Sequence, residues 1–131
     1  MSCIRLIVAI ALTLFIAYSA SADDLGLSAE YSACLDKSGG VTMNVLDCIS
    51  AETTRQDDRL NKAYKGIMGE LDPARKKQLR NAQRLWLKYR DANCGFYADP
   101  EGGSIAKINA NDCFLTETTE RAKELEEIRM P

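Results

Sequence analysis

The stretch Ala82-Gln83-Arg84-Leu85-Trp86-Leu87-Lys88-Tyr89-Arg90-Asp91-Ala92-Asn93-Cys94, followed by Gly102-Gly103-Ser104 and then Cys113, decides the fold. Leu79, Ala82, Trp86, Tyr89 and Asn93 recur at three- and four-residue steps, with Gln83, Arg90 and Cys94 on their flank, which is helical rather than strand spacing. Asp72-Pro73 supplies an N-cap followed by proline at the first helical position, so a helix is expected from 73 to about 97. Trp86 and Tyr89 carry its largest apolar area and are expected in the core.

Upstream, Val45, Ile49, Leu60, Ala63, Tyr64, Ile67 and Met68 fit one helical face over 42–68, with a polar gap between Ile49 and Leu60. Thr42 can cap that helix after the Gly39-Gly40 turn, and Gly66 and Gly69 are expected to end it. Downstream, Ser104 can cap a third helix carrying Ile105, Ile108, Asp112, Leu115, Thr119, Ala122 and Glu126, widened by Leu125 and Ile128. No alternating β-branched run remains for a sheet. The expectation is an all-α, small three-helix bundle whose second and third helices form an antiparallel hairpin.

Residues 1–22 combine Arg5, an apolar run from Ile4 to Tyr18 and the ending Ala20-Ser21-Ala22, the pattern of a secretory signal peptide with an A-x-A cleavage site. The run is short for a transmembrane helix, which needs about 20 apolar residues, and Cys3 precedes it, so no lipid attachment and no stable membrane anchor is expected. Cleavage after Ala22 leaves 23–131 as one domain with a single modest core. Of the 17 basic residues the loss of Arg5 leaves 16 against 19 acidic, a formal charge of −3 that gives no reason to expect nucleic acid. A periplasmic or secreted protein fits this balance.

Cleavage also removes Cys3 and leaves Cys34, Cys48, Cys94 and Cys113, an even set that in an oxidising compartment reads as two disulfides. Four cysteines allow three connectivities. The local pairs Cys34 with Cys48 and Cys94 with Cys113 are favoured, because each spans a short connection between expected helices. The competing zinc site lacks any C-x-x-C pair, and the chain has no histidine. No metal or other cofactor is expected.

Charge is unevenly placed. Arg75, Lys76, Lys77, Arg80, Arg84, Lys88 and Arg90 occur between 73 and 90 without one acid, several of them in a first turn where the helix dipole disfavours cations. Glu124, Glu126 and Glu127 have the mirror fault at the end of the third helix. In an antiparallel hairpin these two ends would lie together and compensate. The alternative use of the basic helix is a surface for an anionic partner such as a cell-envelope polymer.

The pattern Asp57-x-x-Leu60-Asn61-x-x-Tyr64, then Ala82-Gln83-Arg84-x-Trp86-x-x-Tyr89-Arg90-Asp91-x-x-Cys94, then Gly102-Gly103-Ser104, then Cys113-x4-Thr118-x-x-Arg121-x3-Leu125, resembles the LprI-like lysozyme-inhibitor N-terminal domain family. The match spans about 34–125. The resemblance implies a bacterial, exported, small helical protein with paired cysteines, and a protein partner of the lysozyme-type hydrolase class. The residues themselves speak mostly of architecture: Asp57, Asn61 and Tyr64 share a helical face, Arg90 leans toward the interior stripe of the second helix, and Gln83, Asp91 and Arg121 belong to the same motif. An Asp57–Arg90 ion pair between the first two helices is the specific expectation.

Catalysis finds little support. Without histidine, and with the thiols oxidised, the usual nucleophile and base pairs are missing, and nothing marks a carboxylate pair at a cleft. The chain reads as a binding protein and not an enzyme. Its candidate partner-binding surface is the loop of Phe96, Tyr97, Asp99, Glu101, Gly102, Gly103 and Ser104, held at its base by Cys94. The runner-up is an envelope structural or immunity-type interaction protein with no action on lysozyme.

Overall fold

The computed structural model describes residues 25–128, and the expected signal peptide at 1–22 lies outside them. Among the described residues there are four helices and no strand: α1 (Ala29–Ser38), α2 (Thr42–Glu70), α3 (Pro73–Phe96) and α4 (Gly103–Glu127). The three expected helices are α2, α3 and α4, and α1 corrects the count. Ten residues long and carrying few apolar side chains, α1 is too short to stand alone in water. It is held by what it docks on: Tyr31 is buried with Cys48, Ile49 and Leu115, and Cys34 is disulfide-bonded to Cys48 of α2.

Local chemistry sets the ends. Ser28 caps α1, its hydroxyl accepting from the Tyr31 N–H at 3.1 Å, and Gly39 ends it at φ 61°, in the left-handed region. Asp72 caps α3 through its carboxylate, which accepts from Ala74 and Arg75 N–H groups at 2.8 and 2.9 Å. Two expected caps are not made. Val41 occupies the cap position of α2 and Gly102 that of α4, neither with a side-chain bond, so Thr42 and Ser104 fall inside the first turns. Nor do Gly66 and Gly69 stop α2, which runs to Glu70; packing of Ile67 and Leu71 against α4 and α3 outweighs their weak helix propensity.

The helices alternate in direction. Cys94–Cys113, Gln83–Arg121 and Asn93–Glu117 all join α3 to α4 in antiparallel register, as the hairpin requires. α4 is the central helix and packs most extensively on α2, with α3 lying more lightly against it. Two apolar clusters result. One gathers Tyr31, Cys48, Ile49 and Leu115; the other gathers Leu60, Ile67, Ala122 and Leu125, with Leu79 and Trp86 of α3 packed on its side. The polar gap in α2 lies between them: Glu52 and Gln56 are buried there, opposite the buried Thr118 and Thr119 of α4.

α3 is turned from the expected orientation. Gln83 and Cys94 are its buried residues, while Ala82 is exposed and Tyr89 is 55% exposed. The face against the bundle therefore runs through Leu79, Gln83, Trp86, Arg90 and Cys94, the former flank, because the disulfide and the Gln83–Arg121 bond tie that side to α4. Trp86 packs as expected; Tyr89 does not.

Candidate functional site

The end of the α3–α4 hairpin carries the candidate surface. Phe96 is the last residue of α3 and 83% exposed, and Tyr97 follows it as the C-cap residue. Their rings meet edge to face with centroids 5.8 Å apart, so each limits the other's rotation. The chain then turns back: Asp99 accepts from the Glu101 N–H through its carboxylate (2.9 Å) and from the Gly102 N–H through its carbonyl (3.0 Å). Gly102 is required by packing, since a Cβ there would lie 2.6 Å from that of Ala106. Gly103 starts α4 at φ 61°, where a side chain would be strained. The connection proper is thus 97–102, shorter than the expected loop, with Phe96, Gly103 and Ser104 belonging to the helices.

The Cys94–Cys113 disulfide, with Cα atoms 5.4 Å apart, clamps this turn at its base. Beside it lies a concavity of about 340 Å³ lined by Asn93, Tyr97, Asn109, Asp112, Thr116 and Glu117. Asn93 donates to the Glu117 carboxylate at 3.0 Å and the Tyr89 hydroxyl reaches the same oxygen at 3.3 Å. The Glu117 charge pushes the Tyr89 hydroxyl pKa up. Asp99, Glu101, Asp112 and Glu117 make this end acidic, and no Lys or Arg occurs between Asp91 and Ala106.

Of the motif residues, Gln83, Trp86, Arg90 and Arg121 gather at the centre of the hairpin instead. Arg90 lies between the rings of Trp86 (5.1 Å) and Phe114 (5.4 Å), and its guanidinium donates to Thr118 and Asp91. Arg121, buried, donates to Gln83 at 3.0 Å, pairs with Glu124 and stands 5.9 Å from the Trp86 ring. Cation–π geometry lets these two guanidiniums join α3 to α4 without a buried carboxylate opposite either. The expected Asp57–Arg90 ion pair is not formed. Asp57 accepts from Asn61 at 2.9 Å, while Arg90 is taken by Asp91 and the two rings, although Asp57 and Arg90 line one shallow concavity. Tyr64 packs on the cluster of Leu60 and Leu125.

The compensation expected between the start of α3 and the end of α4 is also absent as ion pairs. Glu126 is held by Arg59 of α2 and Glu124 by Arg121 of its own helix. Hydrogen bonding from Arg59 lowers the Glu126 pKa.

Sequence reasoning missed the polar clasp around Glu52. Its carboxylate, 0% exposed, accepts from the Ser28 N–H (2.9 Å), the Ser28 hydroxyl (2.5 Å), the Gln56 amide (2.8 Å) and Arg55 (2.7 Å). Gln56 also donates to the Gly26 carbonyl and Arg59 to that of Leu25, tying the segment ahead of α1 onto α2. Gly26 sits at φ 79° with no room for a Cβ, which would meet Arg59 at 2.7 Å. Burial pushes the Glu52 carboxyl up, but the bonds from Ser28, Gln56 and Arg55 outweigh it and hold the group at about 2. The only signal in the sequence was the polar gap itself.

These features define a disulfide-stapled, all-α fold whose hairpin end is exposed, aromatic and acidic. The sequence profile described as "Lysozyme inhibitor LprI" matches residues 34–125, and the chain belongs to this family. It is similar to a protein of Rhizobium meliloti (strain 1021) described as uncharacterized, at 30% identity over 102 residues, covering 66% of this chain and 72% of the relative. No solved structure matches. The two disulfides point to an extracytoplasmic location, and no helix among the described residues is long and apolar enough to cross a membrane.

Proposed function

We propose that this chain is an exported inhibitor of lysozyme-type hydrolases, periplasmic or secreted after cleavage at Ala22, and that it acts through the end of the α3–α4 hairpin. The observation that carries the reading is the pairing of an exposed aromatic couple, Phe96 and Tyr97, with an acidic rim of Asp99, Glu101, Asp112 and Glu117. Family membership supports the same class of partner. A cationic hydrolase that binds a polysaccharide in a cleft offers the complementary field, which speeds encounter and fixes orientation. The disulfide clamps the turn at its base, so little conformational entropy is lost on docking.

The test titrates the purified, oxidised chain against a c-type lysozyme acting on a soluble chitooligosaccharide. Inhibition is expected, and the combined change Phe96→Ser and Glu101→Lys, which touches no side-chain hydrogen bond of the turn, should weaken it at least tenfold with an unchanged thermal melt. Absence of both inhibition and binding at micromolar concentration would refute the reading.

A further inference from the structure

We infer that the outer face of α3 is a docking surface for anionic phospholipid headgroups, separate from the hairpin end and independent of the inhibitory reading. Lys77, Arg80, Arg84 and Lys88 follow one another at three- and four-residue steps and so form one row along the helix. All four are exposed, and among the described residues none has an ion pair or hydrogen bond. Among the described residues Asp91 pairs with Arg90, Glu124 with Arg121 and Glu126 with Arg59, and no carboxylate forms an ion pair with the row. Cations at three- and four-residue spacing on one helix repel one another, a cost that an anionic surface relieves.

Two leucines choose among anionic partners. Leu85 and Leu87 border the row on its two sides and are 66% and 38% exposed. A soluble polysaccharide or polyphosphate gives such side chains nothing to bury against, whereas a bilayer interface accepts them beside the phosphates that the cations meet. Charge attraction and shallow apolar insertion add to one another in binding such a surface.

Geometry keeps the two surfaces compatible. At about 1.5 Å per residue, Phe96 lies about 18 Å along α3 from Arg84, more than a Debye length of about 8 Å at physiological salt. Phe96, Asp99 and Glu101 at the tip of the hairpin therefore lie beyond screening range of Arg84 and stay uncovered when the row is docked. A chain held this way would present Phe96 and Tyr97 at one end of the docked helix.

The experiment is co-sedimentation of the oxidised chain with vesicles of phosphatidylglycerol and phosphatidylethanolamine (3:7), against vesicles of phosphatidylcholine alone. Binding to the anionic vesicles only is expected, weakened at least tenfold by Lys77→Glu, Arg84→Glu and Lys88→Glu together and about threefold by Leu85→Ser. Inhibition of lysozyme on a soluble substrate, if present, should be unchanged in both variants. Should the charge-reversed chain fail to fold, release of the unaltered chain between 50 and 500 mM salt reads the same term. Equal binding to both vesicle types, binding that survives 500 mM salt, or equally tight binding to soluble polyphosphate that Leu85→Ser leaves untouched would each overturn the inference.

Discussion

Replacing Glu52 by glutamine should destabilise the fold more than any single change at the surface. The carboxylate receives four donors, and a glutamine side chain can accept on one oxygen while its own amide group meets donors at the other. A carboxyl held at about 2 against an ordinary 4.5 is worth about 3 kcal/mol of stability at neutral pH. For a domain of this size that lowers Tm by about 10–20 °C. The pH dependence has a definite sign. Because the folded pKa lies below the unfolded one, the contribution is complete above about 4.5 and is lost as pH falls from there through about 2. Thermal melts followed by far-UV circular dichroism, disulfides intact, should show the unaltered chain losing stability over that window. Glu52→Gln should start lower at pH 7 and lose less. A Tm within about 3 °C of the unaltered chain at pH 7, or equal acid sensitivity in both, would refute the reasoning.

Cys94→Ser with Cys113→Ser opens a loop of sequence separation 19, which should cost about 3 kcal/mol and be measured by urea unfolding. The same pair should also weaken any partner binding at the hairpin end, detected by calorimetry, since the turn would no longer be clamped. Arg90→Lys keeps the charge but loses the planar group between Trp86 and Phe114, so a loss of about 1 kcal/mol is expected in urea unfolding.

Much of the architecture was legible in residue order. Asp72-Pro73 located the start of α3 because proline's fixed φ and missing N–H suit that position alone in a helix. The cysteine spacing and the hairpin agreed on Cys94–Cys113, and the structure has that pair. α1 was not legible, since a ten-residue helix with a weak apolar face carries little periodic signal and exists through its docking on α2. Caps at Thr42 and Ser104 were misread because a hydroxyl near a helix start marks the region, not the residue. At the candidate site, residue order places the segment between α3 and α4; that Tyr97 shares a concavity with Asp112 and Glu117 of α4 depends on how α4 turns toward the loop.

The sequence by itself determined an all-α chain with three of its helices, two local disulfides and a basic α3, because periodicity, capping and cysteine spacing are short-range properties. Only the tertiary structure decided how the polar residues are used. Glu52 and Gln56 interrupt an apolar stripe in sequence, yet in space they receive the segment at Leu25–Ser28. Arg90 found two aromatic rings in place of Asp57, and the acids of α4 went to Arg59 and Arg121 instead of α3. The reason is one of range: an apolar side chain is satisfied by any apolar neighbour, so its periodicity alone places it, whereas a charge needs a partner at one distance and angle, set only when four helices have packed.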